Sequence, residues 1–243
     1  RHHLRIRGKG RRAVKLEILQ ALNAERAARR PVVVITELGS GAQRLLKADQ
    51  IDGDPLAAEV HKLLRMGKSA TIEAEGRKWF VHVHAPTAKL VIIGAVHISQ
   101  VLAPLARTLG YDVTIVDPRT AFASAERFPD VPLIADWPDV ALPPLRVDRY
   151  TAFVTLTHDP KIDDGALLHA LAQNCFYIGA LGSKKTHAKR LDRLSAQGAS
   201  AADLAKIHAP IGLAIGAVSP AEIAVSIMAE ITAQLRLPQP LPS

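Results

Sequence analysis

One cysteine in 243 residues, Cys175, excludes an internal disulfide and any multi-thiolate metal site within a single chain. Set between Asn174 and the apolar run Phe176-Tyr177-Ile178, it reads as a buried structural thiol rather than a reactive one. Long hydrophobic runs are missing as well, since no segment approaches the roughly 18 apolar residues that a bilayer-spanning helix needs. Lys15, Glu17 and Asn23 stand where a signal peptide requires an apolar core, so a cytoplasmic protein with no membrane partner is expected. There is no internal repeat.

The net charge of +8 invites a nucleic-acid reading. Arg1, Arg5, Arg7, Lys9, Arg11 and Arg12 supply six of those charges, however, so the body of the chain carries about two and lacks the footprint of a nucleic-acid binder. Residues 1–13, with His2-His3 and little hydrophobicity, read as a basic leader from a vector or from upstream translation, outside the fold. What remains is ordinary globular composition: 48% hydrophobic and 22% charged, enough to build a core and too apolar for disorder.

Residues 14–86 suggest a small α/β domain. Leu16, Leu19, Leu22 and Ala24 lie at helical spacing and predict an amphipathic helix over 14–30. A β-branched run at 31–36 stops at Gly39-Ser40-Gly41, residues 56–66 read as a helix, and the alternation on either side of Gly76 predicts a hairpin. His82 and His84 fall on one face of its second strand, a spacing that suits a metal pair, but no third ligand is near and two solvent-facing histidines are the preferred reading.

Residues 87–236 alternate strands at 89–93, 112–116, 133–135, 152–156 and 176–179 with helices at 97–109, 164–172 and 184–196. This predicts a Rossmann-like parallel sheet with helices on both faces. Ser219-Pro220-Ala221-Glu222 announces a last helix through a capping box with proline at its first position. Pro238, Pro240 and Pro242 leave 237–243 as a proline-rich tail.

Candidate ligand-binding residues cluster where strands end. Gly94-Ala95-Val96-His97 lies where a dinucleotide fingerprint belongs, and Asp117 follows Gly94 by 23 residues, near the offset of about 20 for a ribose-binding acid. Val96 and Ser99 replace the second and third glycines, so NAD in its usual pose meets a side chain and weak NAD(P) binding is expected. Asp117-Pro118-Arg119 brings an acid and a guanidinium to the same edge, with a turn-closing surface ion pair as the alternative. After the strand at 152–156, Thr157, His158 and Asp159 are site candidates, while Asp163 or Asp164 is expected to cap the following helix. Gly179, Gly182, Ser183, Lys184, Lys185, His187 and Arg190 join a strand end to a helix start loaded with cations. That arrangement opposes the helix dipole unless an anionic ligand compensates. The segment lacks the Gly-Lys-Thr/Ser ending of a Walker loop. Lys184, Lys185 and Arg190 are expected to form the phosphate end of the site, with His97, Arg119 and His158 lining the rest. No catalytic residue and no metal ligand is assigned.

Taken in order, Gly94-Ala-Val-His97, Asp117-Pro-Arg119, Glu126-Arg-Phe-Pro129, Thr157-His-Asp159, Tyr177-Ile-Gly-Ala-Leu-Gly-Ser183, Thr186-His187 and His208-Ala-Pro-Ile-Gly212-Leu resemble the XdhC/CoxI family. The resemblance covers the C-terminal two-thirds of the chain. It implies an accessory protein of xanthine dehydrogenase or carbon monoxide dehydrogenase, one that binds the molybdenum cofactor (molybdopterin), protects it during sulfuration and hands it to the apo molybdenum hydroxylase. It further implies a cysteine desulfurase as a partner and a homodimer as a possible state. The long family form carries Gly-Ser-x-Pro-Arg and Gly-Gly-Cys-x-Glu motifs in its N-terminal domain; Gly39-Ser40 is similar to the first and nothing here to the second. Ala214 stands where relatives often have an acid. An NAD(P)-dependent oxidoreductase, with Arg119 accepting a 2′-phosphate, and a Rossmann scaffold without cofactor are the competing readings.

Overall fold

The computed structural model describes residues 15–237; the basic leader, and the proline-rich tail beyond Leu237, lie outside the described residues. The chain divides into two compact units, one ending at Pro86 and the other beginning at Thr87.

In the first unit, helix α1 (Leu16–Ala27) is followed by strands β1 (Val32–Glu37) and β2 (Gln43–Lys47), a 3-10 turn at Ala48–Gly53, helix α2 (Ala57–Met66), and strands β3 (Ala70–Ala74) and β4 (Arg77–His84). The strands form an antiparallel sheet in the order β2-β1-β4-β3. Val60 and Leu63 of α2 bury against Val33, Ile35 and Val81. The hairpin between β3 and β4 turns through Glu75 and Gly76, both at positive φ, the conformation of a type I′ turn. Helix α1 departs from its expected amphipathic character. Leu16 and Leu19 are exposed, and the buried residue is Glu25, which accepts hydrogen bonds from Arg30 at 2.5 and 3.0 Å and pairs with Lys47 at 3.2 Å. The Arg30 contact holds the Glu25 carboxyl down at about 2.

The second unit contains strands β5 (Lys89–Ile93), β6 (Asp112–Val116), β7 (Leu133–Ile134), β8 (Thr151–Thr155), β9 (Tyr177–Ala180) and β10 (Ile207–His208), all parallel, in the order β10-β9-β8-β5-β6-β7. Its helices are α3 (His97–Thr108), α4 (Pro138–Leu145), α5 (Pro160–Ala172), α6 (Lys184–Ala196), α7 (Ala201–Leu204) and α8 (Pro220–Arg236). The two-residue period of a strand sends Leu90 and Ile92 to one face, under α3 and α8, and Val91 and Ile93 to the other, under α4, α5 and α6. Each such aliphatic, fully buried, contributes about 1.5–3 kcal/mol. This is the Rossmann-like α/β architecture that the alternation predicts.

The chain runs outward from β5 through β6 and β7, then returns to β8 and leaves in the opposite direction through β9 and β10. The carboxyl ends of β5 and β8 therefore flank the topological switch point, the crevice where open α/β sheets bind ligands. Because every strand is parallel, Gly94, Asp117, Thr157 and Gly182 all fall at this one edge.

Candidate functional site

The turn after β5 is closed by the protein's own groups. Gly94 sits at φ +116, and a Cβ there would come within 2.9 Å of Thr157 Cγ2 and 3.3 Å of Thr157 N, so this position admits glycine alone. Asp117 is fully buried. Its Oδ2 accepts from Ala95 N at 2.8 Å and from Arg119 Nη2 at 2.7 Å, and its Oδ1 from Arg119 N and Nε at 2.9 Å each. Burial raises the Asp117 carboxyl, but those four hydrogen bonds outweigh it and leave the group below its ordinary value. Ser99, at the third fingerprint position, is buried and donates to Gly94 O at 2.5 Å, and Arg127 donates to Ala95 O at 2.8 Å. The acid expected to face a ribose thus holds the turn and the neighbouring guanidinium instead. Arg119 also lies over the ring of Phe122, 4.5 Å from its centroid. Val96 is the N-cap residue of α3, and His97 is exposed at the helix start.

At the end of β8 the acids exchange their expected roles. Asp159 caps α5 by accepting from Lys161 N at 2.9 Å, and Pro160 takes the first helical position, where its fixed φ suits the helix and its missing N–H costs nothing. The helix therefore starts earlier than expected, and Asp163 and Asp164 are not caps. Both are buried: Asp164 accepts from Arg193 at 2.6 and 2.9 Å, and Asp163 Oδ1 accepts from Thr157 Oγ1 at 2.7 Å. Asp163 Oδ2 has no partner, and burial pushes this carboxyl up to about 6 against the pull of the Thr157 hydroxyl and the Arg190 charge. His158, between Thr157 and Asp159, adopts the left-handed conformation at φ 63, which costs a non-glycine residue about 1–2 kcal/mol.

Since the folded-state value of Asp163 lies above the ordinary 3.8, its contribution to stability is full below about pH 4 and is lost as pH rises through about 6. Asp163→Asn should abolish that slope, which amounts to about 2–3 kcal/mol in the wild type. Urea unfolding at a series of pH values measures it, and an unchanged slope in the variant would assign the dependence to another group.

Ser183 caps α6 through Thr186 N at 3.2 Å, and Gly182 takes φ +136 in front of it. The cations that follow do not converge on one point. Lys185, Lys189 and Arg190 line a pocket of about 150 Å3 between α5 and α6, together with His158 and Asp163. Lys184, one residue earlier and so about 100° around the helix, lines a separate cleft of about 390 Å3 with Leu181, Ile211, Gly212 and Ile223. Arg190, expected as an accessible cation, is 2% exposed; Nη2 donates to Leu181 O at 2.8 Å, while Nε and Nη1 are buried without a partner. His187 is half-buried and its Nδ1 is unpartnered; burial lowers it, and the Arg190 charge adds to the effect. Gly179 is buried in β9, where a Cβ would come within 2.6 Å of Ile211, so this glycine serves packing. His97 and Arg119 line neither the pocket nor the cleft.

Sequence reasoning missed Glu230 on α8. Its carboxylate accepts from Tyr177 Oη at 2.6 Å, His208 Nδ1 at 3.0 Å and Gly212 N at 2.8 Å, which ties the loop after β10 to the sheet and to the last helix. Burial raises this carboxyl too, yet the bonds from His208, Tyr177 and Gly212 bring it below its ordinary value. Gly212, at φ +90, lets the loop approach α8 so closely that a Cβ would lie 3.1 Å from Ile227 N. Elsewhere, Cys175 is half-buried and its thiol is pushed up to about 12, chiefly by burial, as suits an inert thiol. The rings of His82 and His84 are 4.0 Å apart, and His84 is half-buried, with an unpartnered Nε2, rather than facing solvent. Among the described residues no group of three or more His, Cys, Asp or Glu side chains could hold a metal ion, and no helix is long and apolar enough to cross a membrane.

Fold and edge together define a Rossmann-type domain whose dinucleotide turn is filled from within and whose unpartnered Asp163 and Arg190 atoms lie at the pocket between α5 and α6. The profile of the XdhC Rossmann domain matches residues 90–231, and the chain belongs to that family. It is 34% identical over 153 residues to a probable xanthine dehydrogenase subunit from Bacillus subtilis (strain 168), a match covering 63% of this chain and 44% of that protein. It is likewise 34% identical over 154 residues to the molybdenum cofactor insertion chaperone PaoD of Escherichia coli (strain K12), covering 63% of this chain and 42% of that protein. The chain thus spans less than half the length of these relatives. A crystal structure described as a xanthine dehydrogenase from Bacillus halodurans superposes with a TM-score of 0.62 at 23% identity, over 90% of this chain and 64% of that one, a likeness of fold.

Proposed function

We propose that this protein is a maturation factor that binds the molybdenum cofactor and delivers it to an apo molybdenum hydroxylase of the xanthine dehydrogenase or carbon monoxide dehydrogenase type. The observation that carries this reading is the closed turn at Gly94: both oxygens of Asp117, the acid at the ribose position, are engaged by Ala95 and Arg119. Within a family whose relatives include a molybdenum cofactor insertion chaperone, a ligand other than a dinucleotide is then expected. The residues present suit a group that ends in a phosphate. Arg190 keeps two buried nitrogens unspent, and Lys185 and Lys189 stand beside it. Lys184 faces the neighbouring cleft, which is large enough to hold part of a ring system. The chain's own work is to bind, to orient and to exclude water; the bound cofactor would supply the redox chemistry of the client enzyme. A cysteine desulfurase and a second copy of this chain are the further partners of this reading, and the cytoplasm is its compartment.

Protein purified from cells that make molybdopterin should carry pterin and molybdenum, and calorimetry with NADH and NADPH should give no binding in the micromolar range. Protein free of both pterin and metal, or a micromolar affinity for NADH, would overturn the reading.

A further inference from the structure

We propose that the pocket between α5 and α6 is a subsite for a single phosphate group, and that it selects a protonated oxyanion over sulfate because Asp163 requires a proton on the ligand. The proposal rests on the preceding functional reading only for the identity of the molecule that carries the phosphate.

At about 150 Å3 the pocket is too small for a whole small molecule, which needs about 300 Å3 or more, and so it suits one functional group. Its charge points to an anion. The first turn of α6 contains no acid. Lys185 and Lys189 are one turn apart on the same face, where like charges repel, and Arg190 follows directly. Arg193, also in the lining, is paired with Asp164 and donates to Lys189 O. Arg190 is the decisive residue: it lines the pocket and is 98% buried, and its Nε and Nη1 have no partner, although buried guanidinium donors are normally satisfied.

Asp163 adds the selectivity. It lines the same pocket, it is 2% exposed, and while Thr157 holds Oδ1, Oδ2 has no partner. A ligand that satisfies both walls must accept from Arg190 and share a proton with Asp163. Water does this, and so does phosphate or a phosphate monoester, whose second pKa is about 6 and which therefore keeps a proton on part of its population near neutrality. Sulfate has no proton at that pH, so where Asp163 is ionised, above the value of about 6 to which burial raises it, sulfate would set an oxygen lone pair against Asp163 Oδ2. A site built around a hydrogen bond rejects an analogue that lacks it, because the site's own buried group is left unpaired.

Calorimetry on the full chain near neutral pH and at constant ionic strength, with inorganic phosphate, methyl phosphate and sulfate as probes, tests this. Phosphate and methyl phosphate should bind alike and about tenfold or more tighter than sulfate. Asp163→Asn keeps an acceptor for Thr157 but turns the other atom into a donor, so it should bring sulfate to within about threefold of phosphate. Lys189→Ala, at an exposed position, should weaken both anions several-fold, and Arg190→Gln should abolish binding. Equal affinities in the wild type, a preference that survives Asp163→Asn, or no binding of either anion, as expected of a pocket that holds only water, would each overturn the subsite. If Arg190→Gln does not fold, the Asp163 and Lys189 variants decide. A phosphate preference in a protein that carries no pterin retains the subsite and removes the functional reading; pterin-loaded protein without the preference does the reverse.

Discussion

Asp117→Ala should lower the free energy of unfolding of the XdhC-type unit by about 3–5 kcal/mol, a large part of the stability of an ordinary domain. The cost has three sources. Ala95 N loses its acceptor inside a buried turn, Arg119 N loses its own, and the Arg119 guanidinium, which is 32% exposed, keeps its charge with no carboxylate beside it. Asp117→Asn should cost less, because one acceptor oxygen remains for Ala95 N or for Arg119. The sign of the pH dependence separates charge from shape. The Asp117 carboxyl lies below its ordinary value in the fold, so its contribution is present at neutral pH and is lost as pH falls through the folded value. The gap between wild type and Asp117→Asn should therefore narrow in acid. Urea unfolding with hydrogen exchange at Ala95 reads both effects, and a loss under about 1 kcal/mol in Asp117→Ala would show that the turn is held by Ser99 and Arg127 without the acid.

That buried role explains how far the sequence could be read here. The spacing from Gly94 to Asp117 locates the end of two adjacent parallel strands, and it does so whether the acid meets a ribose or a backbone N–H. Strand β5, the helix start at His97 and the capping box of α8 were legible because each writes a local rule into neighbouring residues: a two-residue period, a glycine turn, a Ser-Pro-x-Glu cap. Helix α4 was not, since Pro138, Pro143 and Pro144 read as loop until Pro138 is seen at the first helical position and the other two in the last turn. Strand β2 has no alternating pattern, and its place comes from pairing with β1. In α1 the spacing of leucines pointed to a buried face, but tertiary contacts bury Glu25 instead, through Arg30 and Lys47.

The candidate site was legible as an edge and not as a set of contacts. Local rules could not choose among Asp159, Asp163 and Asp164 as the cap, because the choice rests on where Pro160 starts the helix and on Arg193, 29 residues beyond Asp164. Lys184 and Lys185 are adjacent in sequence and belong to different hollows, a consequence of helix rotation that adjacency conceals. Arg190 is one turn beyond Thr186, and only the packing of α6 on α5 turns an apparently solvated cation into a buried, half-satisfied one. Glu230 had no motif at all. The hint available was an acid in the interior of an otherwise apolar stretch, Ile227-Met228-Ala229-Glu230-Ile231, where a buried charge needs partners.

Glu230→Leu should destabilise the same unit by about 3–5 kcal/mol and release the loop after β10, whereas Glu230→Gln should cost about 1 kcal/mol. The glutamine keeps an oxygen for Tyr177 Oη and Gly212 N, which share one carboxylate oxygen, and its amide can donate to a His208 tautomer that accepts. Leucine leaves three donors without a partner, and Tyr177 is 1% exposed, so its hydroxyl finds no water. The penalty of an orphaned donor differs from the loss of a bond, and a double mutant separates them. Tyr177→Phe alone should be mild. Combined with Glu230→Leu it should recover about 1–2 kcal/mol relative to Glu230→Leu, since the stranded hydroxyl is gone. Hydrogen exchange at Gly212 should remain fast in that double mutant, because its N–H still lacks an acceptor. If Glu230→Leu and Glu230→Gln were equally stable, or if Gly212 stayed protected in Glu230→Leu, the loop would be anchored by the packing of Ile211 on Gly179 and Tyr177 rather than by the carboxylate.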